Sequence, residues 1–139
     1  MMNSYRWRDL HVGMFHTFSA NVTERMMSHF LEDFCDDNPL HVDMAVALEN
    51  GFQNKVVYGL LSSSYYSTLV GVHLPGRYAL LQGIHIDFVR PIYVDVPLIV
   101  RGEIVYLSEA VRRVEIAACI KSHQGEVLSK AKIRVGFHE

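Results

Sequence analysis

The sequence predicts an α+β domain in which an antiparallel sheet wraps around one long buried helix. Three observations carry the prediction. Residues 60–72 are apolar almost all round, through Leu60, Leu61, Tyr65, Tyr66, Leu69 and Val70, relieved only by Ser62, Ser63, Ser64, Ser67 and Thr68. A helix without a polar face is a buried one, and these small residues let a sheet come close. After it come only strand-like runs separated by turn residues, which is an α+β order of elements. Finally, 139 residues, 50% of them apolar and 20% charged, suffice for one domain with a real core and are too few for two of ordinary size.

Taken in order, residues 1–12 are expected to be poorly ordered, and Gly13 to Ala20 reads as a short first strand. Thr23 offers a hydroxyl for capping just before Glu24, whose charge suits a helix N-terminus. Met26, Met27, Phe30, Leu31 and Phe34 then recur at helical spacing and predict an amphipathic helix over 24–35, its apolar stripe packed in the core and His29 exposed. Val42 to Leu48 suggests a second short helix, closed by Asn50-Gly51. A loop leads to Val56-Val57-Tyr58-Gly59 and the buried helix, which Leu74-Pro75-Gly76 ends. Beyond it, Ile84, Ile86 and Phe88 alternate with His85, Asp87 and Val89 until Arg90-Pro91 breaks the run. Pro97 to Leu107, Val111 to Ser122 and a last run from Val127 to Phe137 complete an expected meander, with His123-Gln124-Gly125-Glu126 as a hairpin turn.

A net charge of -2 gives no general attraction to nucleic acid or an anionic membrane. The first fifty residues are acidic and the last third leans basic through Arg112, Arg113, Lys121, Lys130, Lys132 and Arg134, a bias expected of a solvated strand face ahead of a surface for the phosphates of coenzyme A or an acidic carrier protein. Cys35 and Cys119 are far apart and in no metal-ligand spacing, so both are expected as free thiols, with Cys35 packed as a small hydrophobe behind a turn. The other histidines show no paired metal spacing either. The N-terminal stretch has no apolar secretory core and no run reaches membrane-spanning length, so a cytoplasmic protein is expected.

Asp36-Asp37-Asn38-Pro39-Leu40-His41 places a carboxylate and an imidazole five residues apart. A continuous helix would set them on largely opposite sides, but Pro39 has no N–H and pushes Asn38 out of the helical region. The chain must turn, and both side chains can face one point. A carboxylate and a neutral imidazole around one water are the parts needed to add or remove water across a double bond. Read alone, the same residues read first as a turn and helix cap beside a surface histidine.

This motif, followed by Val57-Tyr58-Gly59 and Ser67, resembles the MaoC-like hydratases of the hot-dog superfamily, and among them the (R)-specific enoyl-CoA hydratases, from about Val22 to the C-terminus. The resemblance implies reversible hydration of trans-2-enoyl thioesters and dehydration of (R)-3-hydroxyacyl thioesters. Asp36 and His41 would hold the catalytic water, Gly59 would donate its N–H to the thioester oxygen, and Ser67 would support the site. Asn38 would brace the turn. Coenzyme A or acyl carrier protein would be part of the substrate, with no separate cofactor and no metal. A homodimer or higher homo-oligomer is implied, because a lone curved sheet leaves edges and apolar surface uncovered. Some positions depart from the family. Tyr58 replaces a histidine, where it would narrow the acyl channel or offer it a hydroxyl; Asn54-Lys55 replaces an Arg-Pro pair, Asp95-Val96 a Gly-Asp pair, and Thr68 a glycine. Two alternatives stay open at this point: a hot-dog thioesterase attacking the carbonyl carbon, and a catalytically silent acyl-thioester-binding subunit.

Overall fold

Apolar alternation on four successive runs becomes four strands, and the first short run becomes a fifth. The computed structural model describes residues 1–139. The order is β1 (Phe15–Ala20), α1 (Glu24–Phe34), α2 (Pro39–Val42), α3 (Met44–Glu49), α4 (Gly59–Thr68), β2 (Ala79–Phe88), β3 (Leu98–Ser108), β4 (Arg113–Ser122) and β5 (Val127–Phe137). A 3-10 turn, Trp7–Asp9, precedes β1, and a π-helical turn, Leu69–His73, extends α4. All five strands form one antiparallel sheet in the order β1-β3-β4-β5-β2.

The expected plain meander is therefore corrected: it holds for β3, β4 and β5 only, while β2 pairs with β5 at the far edge. Residues 89–97 carry the chain back to β3. Their backbone groups find partners on the way, since Val57 N–H donates to Ile92 O at 2.9 Å and Asp95 N–H to Val22 O at 2.8 Å. A connection satisfied in this manner can cross the end of the sheet without forming a hairpin. Asp95 lies at φ 62, in the left-handed region that aspartate tolerates better than most side chains, where the resembled family has glycine.

Inward-facing Val114, Ile116 and Ile120 of β4 and Ile133 and Val135 of β5 are buried against Tyr66, Leu69 and Val70 of the helix. Each large apolar side chain so removed from water contributes about 1.5–3 kcal/mol. Gly102 of β3 permits the closest approach, for a Cβ there would lie 2.6 Å from Leu69 Cδ2. The helix is nevertheless buried on one face rather than all round. Ser62, Ser63, Tyr66, Leu69 and Val70 face the sheet, while Leu60 is 69% exposed and Ser64 and Ser67 are exposed. A single five-stranded sheet can cover only one side of a helix.

Other expectations shift for local reasons. Thr23 Oγ1 accepts the Met26 N–H at 3.2 Å and caps α1, but only Met27 of the Met and Phe stripe is fully buried and Phe34 is 69% exposed. No second layer covers that rim of the sheet. The helix expected over 42–48 is split, because Asp43 takes an extended conformation and caps α3 by accepting the N–H groups of Ala45 and Val46. The N-terminal segment, expected to be poorly ordered, is tied to the end of the helical layer: Asn3 N–H donates to Val72 O at 2.8 Å and its side chain to His73 O at 2.7 Å.

Candidate active site

The site is built from the turn that ends α1. Cys35 closes the helix in the left-handed conformation, φ 57, and this turns its side chain outward, so it is exposed rather than packed behind the turn. Asn38 then fixes the bend. Its N–H donates to Asp36 Oδ1 at 3.3 Å, and its own Oδ1 accepts the Leu40 N–H at 3.0 Å. Pro39 does not simply break the chain. It opens α2 at a position where its missing N–H is not needed, so the bend lies at 35–38 and His41 is carried on a one-turn helix.

His41 is half-buried, and its Nδ1 lies 2.6 Å from the carbonyl oxygen of Val56. A carbonyl can only accept, so Nδ1 carries a proton, and in the neutral tautomer that this selects, the free lone pair lies on Nε2. Val56 in turn donates its N–H to Leu40 O at 2.9 Å, which ties α2 to the segment leading into α4. One side of the imidazole packs against Tyr58 at a tilt of 31°, with centroids 4.2 Å apart, and Tyr58 packs on Phe30 at 4.5 Å.

Tyr58 does not offer its hydroxyl to a substrate channel. The side chain is 2% exposed and its OH donates to the backbone carbonyl of Asp36 at 2.6 Å. Burial first, then the charges of Asp36 and Asp37, push this phenol above its usual range, so it stays a donor. The residue that departs from the family thus clamps the two halves of the site together: its ring supports His41 and its hydroxyl holds Asp36.

Gly59 begins α4, where N–H groups have no acceptor within the helix and the helix dipole is positive. Ser62 and Ser63 tighten this first turn by donating to Gly59 O at 3.1 and 2.6 Å. Asp36, His41, Tyr58 and Gly59 line one cavity of about 180 Å³, with Phe30, Leu60 and Phe88. His41 and Gly59 also line a second cavity of about 380 Å³, whose wall includes Phe52, Val57, Ser62 and Ile92. The structure therefore brings Asp36, His41, Tyr58 and Gly59 together, with Asn38 behind them as a brace. Ser67 does not join them: it is exposed, eight residues along α4 from Gly59, and lines neither cavity. No three His, Cys, Asp or Glu side chains converge as a metal site.

A sequence profile of the family described as MaoC like domain matches residues 14–124. The chain belongs to this MaoC-like family. It is 36% identical over 78 residues to an (R)-specific enoyl-CoA hydratase of Aeromonas caviae, an alignment covering 56% of each chain. It is 31% identical over 91 residues to a mitochondrial 3-hydroxyacyl-[acyl-carrier-protein] dehydratase of Arabidopsis thaliana, covering 63% of this chain and 54% of that protein. The match thus spans about half the length of these two relatives. The solved structure of the (R)-hydratase from A. caviae involved in PHA biosynthesis superposes with a TM-score of 0.88 at 26% identity, covering 94% of this chain and 98% of that one. The likeness shows the hot-dog fold of this MaoC-like chain, a five-stranded antiparallel sheet with a helix packed on it.

Sequence reasoning missed Phe30, Leu60, Ser62 and Phe88 as residues of the site. For Phe88 the alternation gave the correct face of β2, on the same side as Ile84 and Ile86, but not that the strand's end reaches the start of α4. In the sequence Ser62 reads only as a small packing residue, and nothing in its neighbours distinguishes it from Ser63 or Ser64.

Proposed function

We propose that this MaoC-like chain adds water to trans-2-enoyl thioesters and, in reverse, dehydrates (R)-3-hydroxyacyl thioesters carried on coenzyme A or acyl carrier protein. Water sits between Asp36 and His41. His41 Nε2 takes a proton as the water oxygen bonds to C3, that proton passes to the Asp36 carboxylate that orients the water, and Asp36 delivers it to C2. The proton count of the pair is unchanged over a turnover, as addition of H and OH requires. Negative charge builds on the thioester oxygen, where the Gly59 N–H and the N-terminus of α4 are already aimed and need no rearrangement.

The observation that carries this proposal is the His41 Nδ1 bond to Val56 O beside Asp36 and Gly59 in one cavity, since it leaves a base, an acid and an oxyanion donor around one small space. The names of the relatives agree with it. The test follows the loss of absorbance of conjugated enoyl thioesters with wild type, Asp36→Asn and His41→Ala. Turnover should fall on the order of a hundredfold or more in each variant, the usual scale for an acid–base group. Release of free thiol would move the protein to the thioesterase reading, and wild-type levels in both variants would end the dyad assignment.

We also infer that two copies pair. Leu80 and Ile84 of the edge strand β2, and Leu60 of α4, are exposed apolar groups that a second copy would cover. Sedimentation of a fully active monomer would contradict this.

A further inference from the structure

His41, Gly59 and Phe88 are common to both cavities at the site, so the Phe88 ring borders each of them. Its Cε1 and Cζ atoms lie 2.9 Å from where a Cβ on residue 59 would be, so the ring rests on the start of α4 only because residue 59 has no side chain. The backbone behind it is fixed, for the N–H groups of Val89 and Arg90 both donate to Leu128 O. The side chain is not. Phe88 ends the edge strand and is 55% exposed, so its ring has room to rotate while the strand stays in place.

The chemistry proposed above puts the C2–C3 bond at Asp36 and His41 and the thioester oxygen at Gly59. Carbons beyond C3 must continue past His41. The 180 Å³ cavity holds about six water-sized groups at roughly 30 Å³ each, enough for the reacting atoms and a short alkyl end. The 380 Å³ cavity beyond the ring has Phe52, Val56, Val57 and Ile92 in its wall, a surface suited to alkyl carbons.

We propose that Phe88 sets acyl chain length: seated on Gly59 it confines the site to short acyl groups, and displaced it admits a longer chain into the apolar cavity lined by Phe52, Val57 and Ile92. This inference rests on the thioester hydratase reading. The test compares wild type, Phe88→Ala and Phe88→Trp on trans-2-enoyl-CoA esters of four, eight and twelve carbons, and measures calorimetrically the affinity of the matching saturated esters, which cannot be hydrated. The ratio of kcat/KM for eight against four carbons should rise about tenfold in Phe88→Ala and fall in Phe88→Trp, the scale of one or two methylenes gaining or losing a buried place. Saturated-ester affinities should move in the same order. Unchanged ratios and affinities across the three proteins, or no ester bound by any of them, overturn the role of Phe88. Affinities that shift with Phe88 while no enoyl ester is hydrated uphold that role and reject the hydratase reading.

Discussion

Tyr58→Phe tests the clamp between the two halves of the site. The substitution removes one hydroxyl and keeps the ring that packs against His41 and Phe30. The lost bond, 2.6 Å to Asp36 O, joins residues 22 positions apart in sequence. A hydrogen bond of this kind contributes about 0.5–1.5 kcal/mol net, and because Asp36 is exposed its carbonyl can be rehydrated, so about 1 kcal/mol is expected. With about 2.1 cal/mol/K per residue near the midpoint, 139 residues give about 0.3 kcal/mol/K, so Tm should fall by about 3–4 °C. Activity should suffer more than stability. Freed from its tie, Asp36 samples positions away from the water, and kcat should drop about tenfold with KM little changed, since misplacement of a catalytic group by an ångström is costly. Scanning calorimetry and the enoyl-thioester absorbance assay measure the two effects. A variant with wild-type Tm and kcat would refute the clamp and return Tyr58 to a simple packing residue. A variant with a raised KM and unchanged kcat would place it in the substrate channel instead.

Three more outcomes follow from the same geometry. Ser129→Ala should lower stability by about 1–3 kcal/mol, because it strands the buried hydroxyl of Tyr66, and Ser129→Thr should restore part of that in urea unfolding. On the alkaline side, burial raises the phenols of Tyr58, Tyr65 and Tyr66, the last to about 12. A raised folded-state value means that stability is complete below the ordinary tyrosine value near 10 and is lost as pH rises through the folded-state values. Circular dichroism should therefore show unfolding setting in above about pH 10, weakened in Tyr66→Phe. On the acid side, burial and then the neighbouring His16 hold the His73 imidazole below its ordinary value, and the two rings stack at 4.3 Å. A lowered value means that stability is present above about pH 6.5 and is lost as pH falls, so His73→Phe should flatten the acid limb of the stability curve.

The sequence by itself determined most of the elements. Period-2 alternation placed β4 and β5 with their buried faces, Thr23 marked the start of α1, and Asn38-Pro39 marked the start of a new helix after the turn that ends α1. These are short-range properties: a cap, a ring-locked φ and an alternation are written in a few neighbouring residues. What lay between distant segments was decided by the tertiary structure. That β2 pairs with β5 rather than β3 depends on partners that residues 89–97 find at Val22 and Val57. That α4 is buried on one face only depends on how much of it a single sheet can cover. The tautomer of His41 is set by Val56, the hydroxyl of Tyr58 is taken by Asp36, and Phe88 reaches Gly59 from the far edge of the sheet. No local pattern records such contacts, because each joins side chains whose separation along the chain is far longer than the range over which periodicity and capping act.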